Sequence, residues 1–173
     1  HLQATRATIC THRQNMATLL TMDLSEISII EKEGCCLVTV DISRDTSFEK
    51  AVELITAETE KYHVGRLHDA SYGSMIPVAS LQSKDFDGYS QLFIEIPSLA
   101  YQAGLHMPPS GAYLRAFHKG DWDRLPVRYL EILSYAEKHG LVLDGFSYEI
   151  CINESVIDRI EDSIVQIDIP IKQ

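Results

Sequence analysis

The sequence predicts an α+β fold of two duplicated βαββ units with pseudo-twofold symmetry, antiparallel sheets and two main helices around a central cleft. Three observations predict it. SQLFIEIP at 90–97 recurs as SIVQIDIP at 163–170: Ser90 matches Ser163, Ile94 matches Ile167, Ile96 matches Ile169 and Pro97 matches Pro170, while Glu95 and Asp168 keep the charge. GCCLVTV at 34–40 has the same shape as GAYLRAF at 111–117. Between these markers each half holds one helical stretch and one further strand, so strand, helix, strand, strand is written twice. Half one covers about 27–97 and half two about 110–170 of a domain at 23–173. PSLAYQAGLHMPPSG at 97–111, rich in proline and glycine, joins them. Halves that meet in this way form a cleft, a preferred place for a ligand.

Residues 1–22 come first and stand apart. They contain Arg6 and Arg13 and no acid, and Leu2, Ile9 and Met16 recur every seven positions with Leu19 and Leu20 nearby. Two readings stay open: a helical linker that is the end of a coiled coil, or one amphipathic helix packed on the domain. The chain starts at His1 rather than Met, so it is expected to be cut from a longer protein or to carry a tag remnant. The first helix is expected from about Ser47 to Tyr62, with Thr46-x-x-Glu49 as a capping box. Phe48, Ala51, Val52 and Ile55 share one of its faces, and Gly65 lies beyond its end. The second helix is expected from Arg124 to His139, with Asp123 as N-cap, Pro126 in the first turn and Gly140 at the stop. Tyr129, Leu130, Leu133 and Ala136 are its expected core face. FSYEICINE at 146–154 reads as a strand, with Phe146, Tyr148, Ile150 and Ile152 on one face and Ser147, Glu149 and Cys151 on the other.

Composition narrows the function. The chain has 25 acidic and 15 basic side chains, a net charge of −10, and residues 23–173 hold every acid. Such a surface repels phosphate backbones and favours cationic ligands, so this chain alone is not expected to bind nucleic acid. No apolar run is long enough for a membrane helix, and no signal peptide is visible. Cys10, Cys35, Cys36 and Cys151 form no CxxC pair, and the histidines show no ligand spacing, so no metal or cofactor is expected. The cysteines read as reduced thiols in a cytoplasmic protein. No GxSxG, HExxH, P-loop or GxGxxG is present, and no His orients a Cys151–Glu149 pair as a nucleophile. The chain therefore reads as a binding module rather than an enzyme.

Glu149 interrupts an aromatic and β-branched strand. Its plainest place is the solvent-facing side of an antiparallel sheet. A pocket is the alternative, and a buried carboxylate either rises in pKa or waits for a cation. Tyr113 and Phe117 lie on one face of GAYLRAF, and Trp122 follows in HKGDWD. Tyr72 and Met75 take the place in half one that Phe146 and Glu149 take in half two, and Phe48 starts the first helix. Aromatic rings around a carboxylate suit a lipophilic cation. The expected ligand-binding residues are therefore Glu149, Trp122, Tyr113, Phe117, Cys151, Tyr72, Met75 and Phe48; for any single ring, a place in the core is the plainer alternative.

An ordered set of features resembles a known family. It runs through MPPSGAYLRAFHKGDWDRLPVRYLEILSYAEKHGLVLDGFSYEICINE and then IVQIDIPI. The set comprises a proline-containing approach, a Gly-x-Tyr strand, His-x-Gly before a long helix ending in Gly, Tyr-Glu on the next strand, and Ile-x-Ile-Pro on the last. It is similar to the second half of GyrI-like effector-binding domains of MerR-type multidrug regulators and some AraC-type regulators. The resemblance covers residues 108–171 directly and the first half through the duplication. It implies two βαββ halves around a hydrophobic cleft, with Glu149 pointing into the cleft to pair with cationic aromatic effectors. Cys151 would share its face, and Trp122 would be the aromatic after the hairpin glycine. The chain departs from the pattern in carrying Cys151 where an aromatic often stands. The implied function is small-molecule sensing in a bacterial, homodimeric transcription regulator whose DNA-binding domain precedes this chain. The alternatives are a stand-alone GyrI-like hydrolase of reactive small molecules and an inhibitory protein partner.

Overall fold

A computed structural model of the chain describes residues 23–62, 72–96 and 103–173. The segment at 1–22, with Cys10, and the histidines at 63 and 68 lie outside the described residues. The elements are β1 (Ser28–Lys32), β2 (Cys36–Asp41), α1 (Phe48–Glu60), β3 (Tyr72–Pro77), α2 (Val78–Gln82) and β4 (Gln91–Ile96), then β5 (Gly111–Lys119), α3 (Leu125–Lys138), β6 (Phe146–Cys151) and β7 (Ile164–Pro170). All seven strands join one antiparallel sheet in the order β1-β5-β7-β6-β3-β4-β2. The two halves are β2–α1–β3–β4 and β5–α3–β6–β7, and they meet where β3 pairs with β6. Among the described residues β1 has no counterpart in the repeat, and it extends the sheet beyond β5.

The pairing registers decide how the halves correspond. Ile94 and Ile167 match in sequence, and both face the helices, so the β4–β7 match holds. Val38 pairs with Ile94 and Ala116 pairs with Ile167, so Val38 corresponds to Ala116. Aligning GCCLVTV with GAYLRAF residue for residue is therefore one position out. Tyr72 pairs with Ile94 and Glu149 with Ile167, so Tyr72, not Met75, stands where Glu149 stands. A slip of one residue moves a side chain to the other face, and Met75 lies opposite Tyr148 on the far side of the sheet.

Both long helices cover one face. Ala51, Ile55 and Thr59 of α1 pack on Val38, Leu92 and Ile94. Leu125, Tyr129, Ile132 and Ala136 of α3 pack on Leu114, Ala116, Ile167 and Ile169. Each large apolar side chain so buried contributes roughly 1.5–3 kcal/mol. Ile132 takes the core place expected of Leu130, which is exposed, because the α3 stripe runs along 125, 129, 132 and 136. The N-caps also shift. Ser47 rather than Thr46 caps α1 by accepting from Lys50 N, and Thr46 accepts from Ser43 N instead. Asp121, not Asp123, caps a short 3₁₀ turn (Trp122–Arg124) that leads into α3. Gly140 ends α3 at φ 64°, a left-handed conformation that suits glycine.

Among the described residues no helix covers the other face, yet Leu37, Met75, Phe93, Tyr113 and Tyr148 form a buried cluster on it. Curvature explains this. Only residues 33–35 connect the edge strands β1 and β2. That connection reaches about 14 Å from Lys32 to Cys36 at most, whereas the edges of a flat seven-stranded sheet lie about 29 Å apart. The sheet therefore curls until its edges approach, and side chains from β2 to β6 fill the inside. Residues 105–110 close one end: Leu37 and His106 exchange backbone hydrogen bonds of 2.8 and 2.9 Å, and Tyr113 donates to the Pro109 carbonyl at 2.5 Å.

Two features of this inner face are expected to control stability. A Cβ on Gly73 would overlap the ring of Phe93, its partner across the strands. Gly73→Ala is expected to cost roughly 1–3 kcal/mol in urea unfolding, because the Phe93 ring must leave a filled core. Asp168, 2% exposed, holds Arg115 through two bonds of 2.8 Å and Lys32 at 3.0 Å, tying β7 to β5 and β1. Asp168→Asn is expected to cost about 3 kcal/mol by stranding two cations. Breaking the exposed Arg44–Asp85 pair with Asp85→Ala should cost under about 1 kcal/mol in the same assay.

Candidate functional site

Glu149 lies in the middle of β6, on the face that carries the helices. Alternation put Ser147 and Cys151 on the same side, and they are there. The side chain is buried at 7% exposure, so the solvent-facing place is excluded. Two tyrosines hold the carboxylate. Tyr129 of α3 donates to Oε2, and Tyr89, from the loop before β4, donates at 2.9 Å to each oxygen. Ser147 Oγ and the Tyr129 hydroxyl share a 2.8 Å bond, and the Phe86 ring stacks on Tyr129 at 6.1 Å and 11°. Tyr129 belongs to the core stripe of α3, and its hydroxyl reaches β6 at Ser147 and Glu149. Phe86 and Tyr89 reach in because they are aromatic rings in a polar loop.

No Lys or Arg among the described residues bonds Glu149. Burial pushes its carboxyl up from 4.5 to about 7, opposed by the bonds from Tyr129 and Tyr89. Burial, and then the Glu149 charge, push both tyrosine hydroxyls far above their ordinary range, so they stay protonated donors. The arrangement is a carboxylate at the edge of ionisation in an aromatic, low-dielectric setting. It can take up a proton, counter a cation or accept a proton from water.

The other expected residues divide. Cys151 shares the face, and its thiol lies 3.6 Å from Ser163 Oγ, to which the Trp122 indole N–H donates at 3.2 Å. Ser163 thus brings Trp122 and Cys151 together near the end of β6, with Trp122 half exposed. Tyr72 is on the Glu149 face, packed against the core beneath α1. Tyr113, Met75 and Phe117 point to the opposite face and are buried, so the sheet separates them from Glu149. Phe48, at the first turn of α1, is 73% exposed and packs on none of these groups. The sequence reading missed Tyr89, Phe86 and the role of Tyr129. Two rings in the otherwise polar SKDFDGYS were the available signal. A surface groove of about 310 Å³ runs between α2 and the end of α3, but Glu149 does not line it. Among the described residues no helix is long and apolar enough to cross a membrane, and no cluster suits a metal ion.

The raised carboxyl has a consequence for stability. The native state holds the Glu149 proton more tightly than the unfolded chain does. The group therefore costs nothing below about pH 4.5, costs more as pH rises toward 7, and costs most above that. Glu149→Gln is expected to stabilise the protein by roughly 2–3 kcal/mol at pH 8, with the gap closing toward pH 4.5. Urea unfolding at both pH values measures it; a gap independent of pH would show that the carboxyl titrates normally.

Neither protein-family models nor curated protein sequences match the chain. Solved structures do. The C-terminal domain of EcmrR is 15% identical, with a TM-score of 0.63 over 87% of this chain and 99% of that domain. EcmrR in complex with DNA superposes with a TM-score of 0.60 at 14% identity, over 99% of this chain and 68% of that one. An uncharacterised conserved protein of Listeria innocua gives 0.62 at 13% identity, and a hydrolase of Listeria innocua gives 0.60 at 12%, each over 92% of this chain and 98% of the other. At these identities the likeness is one of fold: the chain shares the α+β fold of the EcmrR C-terminal domain and of the Listeria innocua proteins.

Proposed function

We propose that this chain is the ligand-sensing module of a transcription regulator, and that its effector is a small lipophilic cation. The observation that carries the reading is Glu149, a buried carboxylate bonded by two tyrosines and by no cationic side chain among the described residues. A ligand cation supplies the missing charge, and the Tyr89, Tyr129 and Phe86 rings offer it faces. Of these groups, Tyr89 and Phe86 are only partly buried. The likeness to EcmrR, solved on DNA, supports a regulator. DNA is then contacted by a domain preceding this one, in a cytoplasmic, bacterial homodimer, since the net charge of −10 suits a cation better than a phosphate backbone. Ligand binding shifts the regulator only by its differential affinity for two states.

A hydrolase is the second reading. A carboxyl poised at about 7 beside two hydroxyls suits a general base that activates water, and one protein of this fold is a hydrolase.

Calorimetry with tetraphenylphosphonium tests the first reading. Saturable binding is expected in the wild type, with Glu149→Gln weaker by about tenfold or more. Because the cation needs the ionised carboxylate, affinity should fall by about tenfold per pH unit below the pKa and level off above it. Equal affinity in the variant would sink the pairing. Turnover of a reactive electrophile, lost in Glu149→Gln, would favour the hydrolase.

A further inference from the structure

The two tyrosines that hold Glu149 are unlike. Tyr89 is partly buried in the loop before β4 and shares one proton between both carboxylate oxygens. Tyr129 is fully buried on α3, with the Phe86 ring stacked on it, and donates to Oε2 alone. Behind Tyr129 stands Ser147. It lies two residues before Glu149 on the same face of β6, is 0% exposed, and its Oγ is 2.8 Å from the Tyr129 hydroxyl. A buried hydroxyl is costly unless it is bonded. Among the described residues Tyr129 is the one side chain that bonds the Ser147 hydroxyl.

The direction of that bond follows from the protons present. An ionised carboxylate only accepts, so the single Tyr129 proton goes to Oε2. Ser147 then donates to the Tyr129 oxygen. The Ser147 bond accordingly pulls the Tyr129 hydroxyl down, against burial and the Glu149 charge. Turning the Tyr129 hydrogen back toward Ser147 would leave the Ser147 hydrogen without a side-chain acceptor among the described residues. A hydroxyl that accepts one bond is polarised into a better donor of the next. The titratable groups around the carboxyl are Tyr129 of α3, Tyr89 with Asp87 beyond it, and Tyr72 and Cys151 on the sheet face.

We propose that Ser147 is a positioning residue of this site: acting through Tyr129, it keeps that hydroxyl a standing donor to Oε2 and so supports the ionised form of Glu149. The use of that form rests on the cation reading above; the action of Ser147 on the carboxyl does not.

The test is carbon NMR of the glutamate carboxyls of the full chain against pH, without ligand. The Glu149 signal is the one that Glu149→Gln removes. Ser147→Ala should raise the Glu149 pKa by about half a pH unit, the part of one bond that cooperativity supplies. The same change should appear in a Tyr89→Phe background, because Ser147 does not act through Tyr89. Tyr129→Phe should itself raise the pKa by about one pH unit or more, and Ser147→Ala should add nothing to it. A hydroxyl that merely fills space would move none of these values. Near-UV circular dichroism checks the packing of each variant, and the wild-type and Tyr89→Phe comparisons stand without a folded Tyr129→Phe protein. The proposal is overturned if Ser147→Ala leaves the Glu149 pKa in place, if its effect survives Tyr129→Phe, or if its effect vanishes in Tyr89→Phe. Calorimetry with tetraphenylphosphonium separates this from the cation reading. At pH 6, Ser147→Ala should bind about threefold more weakly than the wild type, and at pH 9 equally, since both carboxyls are then ionised. A raised pKa with no binding by either protein would sink the cation reading and leave Ser147 acting on the carboxyl.

Discussion

The short connection between β1 and β2 is the constraint on which the rest depends. Three residues, 33–35, hold the two edges of a seven-stranded sheet together. The sheet has to curl, and curling makes its faces unequal. One face is covered by α1 and α3. The other closes on itself and buries Leu37, Met75, Phe93, Tyr113 and Tyr148, with no helix over them among the described residues. The Asp168 ion pairs secure the same arrangement from within, because Lys32 belongs to the edge strand and Arg115 to its neighbour. An inner aromatic core and an outer helical layer therefore share one set of strands.

Strand β6 shows how this division makes a site. Its side chains alternate, so Tyr148 enters the inner core while Glu149, the next residue, is placed under α3. There the carboxylate is out of water and has only hydroxyl partners. Tyr hydroxyls stabilise an ionised carboxylate less than a guanidinium would, which is why burial prevails and the carboxyl rises to about 7. Asp168 is the internal contrast. It too is buried, but Arg115 and Lys32 meet it. Two buried acids in one sheet thus differ in whether the chain supplies the cation.

The duplication distributes function unevenly. The pairing registers place Tyr72 at the position of Glu149 in the other half. Of these equivalent positions, only half two carries the acid. The repeated fold provides two similar supports around one axis, and single substitutions on them specialise each side.

Much of this was legible in the chain. The SQLFIEIP and SIVQIDIP repeat predicts both the duplication and the faces of β4 and β7, because a strand has a period of two. The helix positions follow from apolar spacing and from Gly140. The alternation of FSYEIC sets Glu149 apart from Tyr148 and Ile150. Sequence pattern does not determine what lies across from a residue. Tyr89, sixty positions from Glu149, meets it only through the fold. Tyr113, Phe117 and Met75 are aromatic or apolar like true pocket residues, but register sends them to the opposite face. The β2–β5 correspondence was one residue out because short apolar runs align equally well in two registers, and only cross-strand hydrogen bonds choose between them. Local pattern determined the elements and the faces of each strand; long-range pairing decided which faces meet, and so which carboxylate is left without a cation.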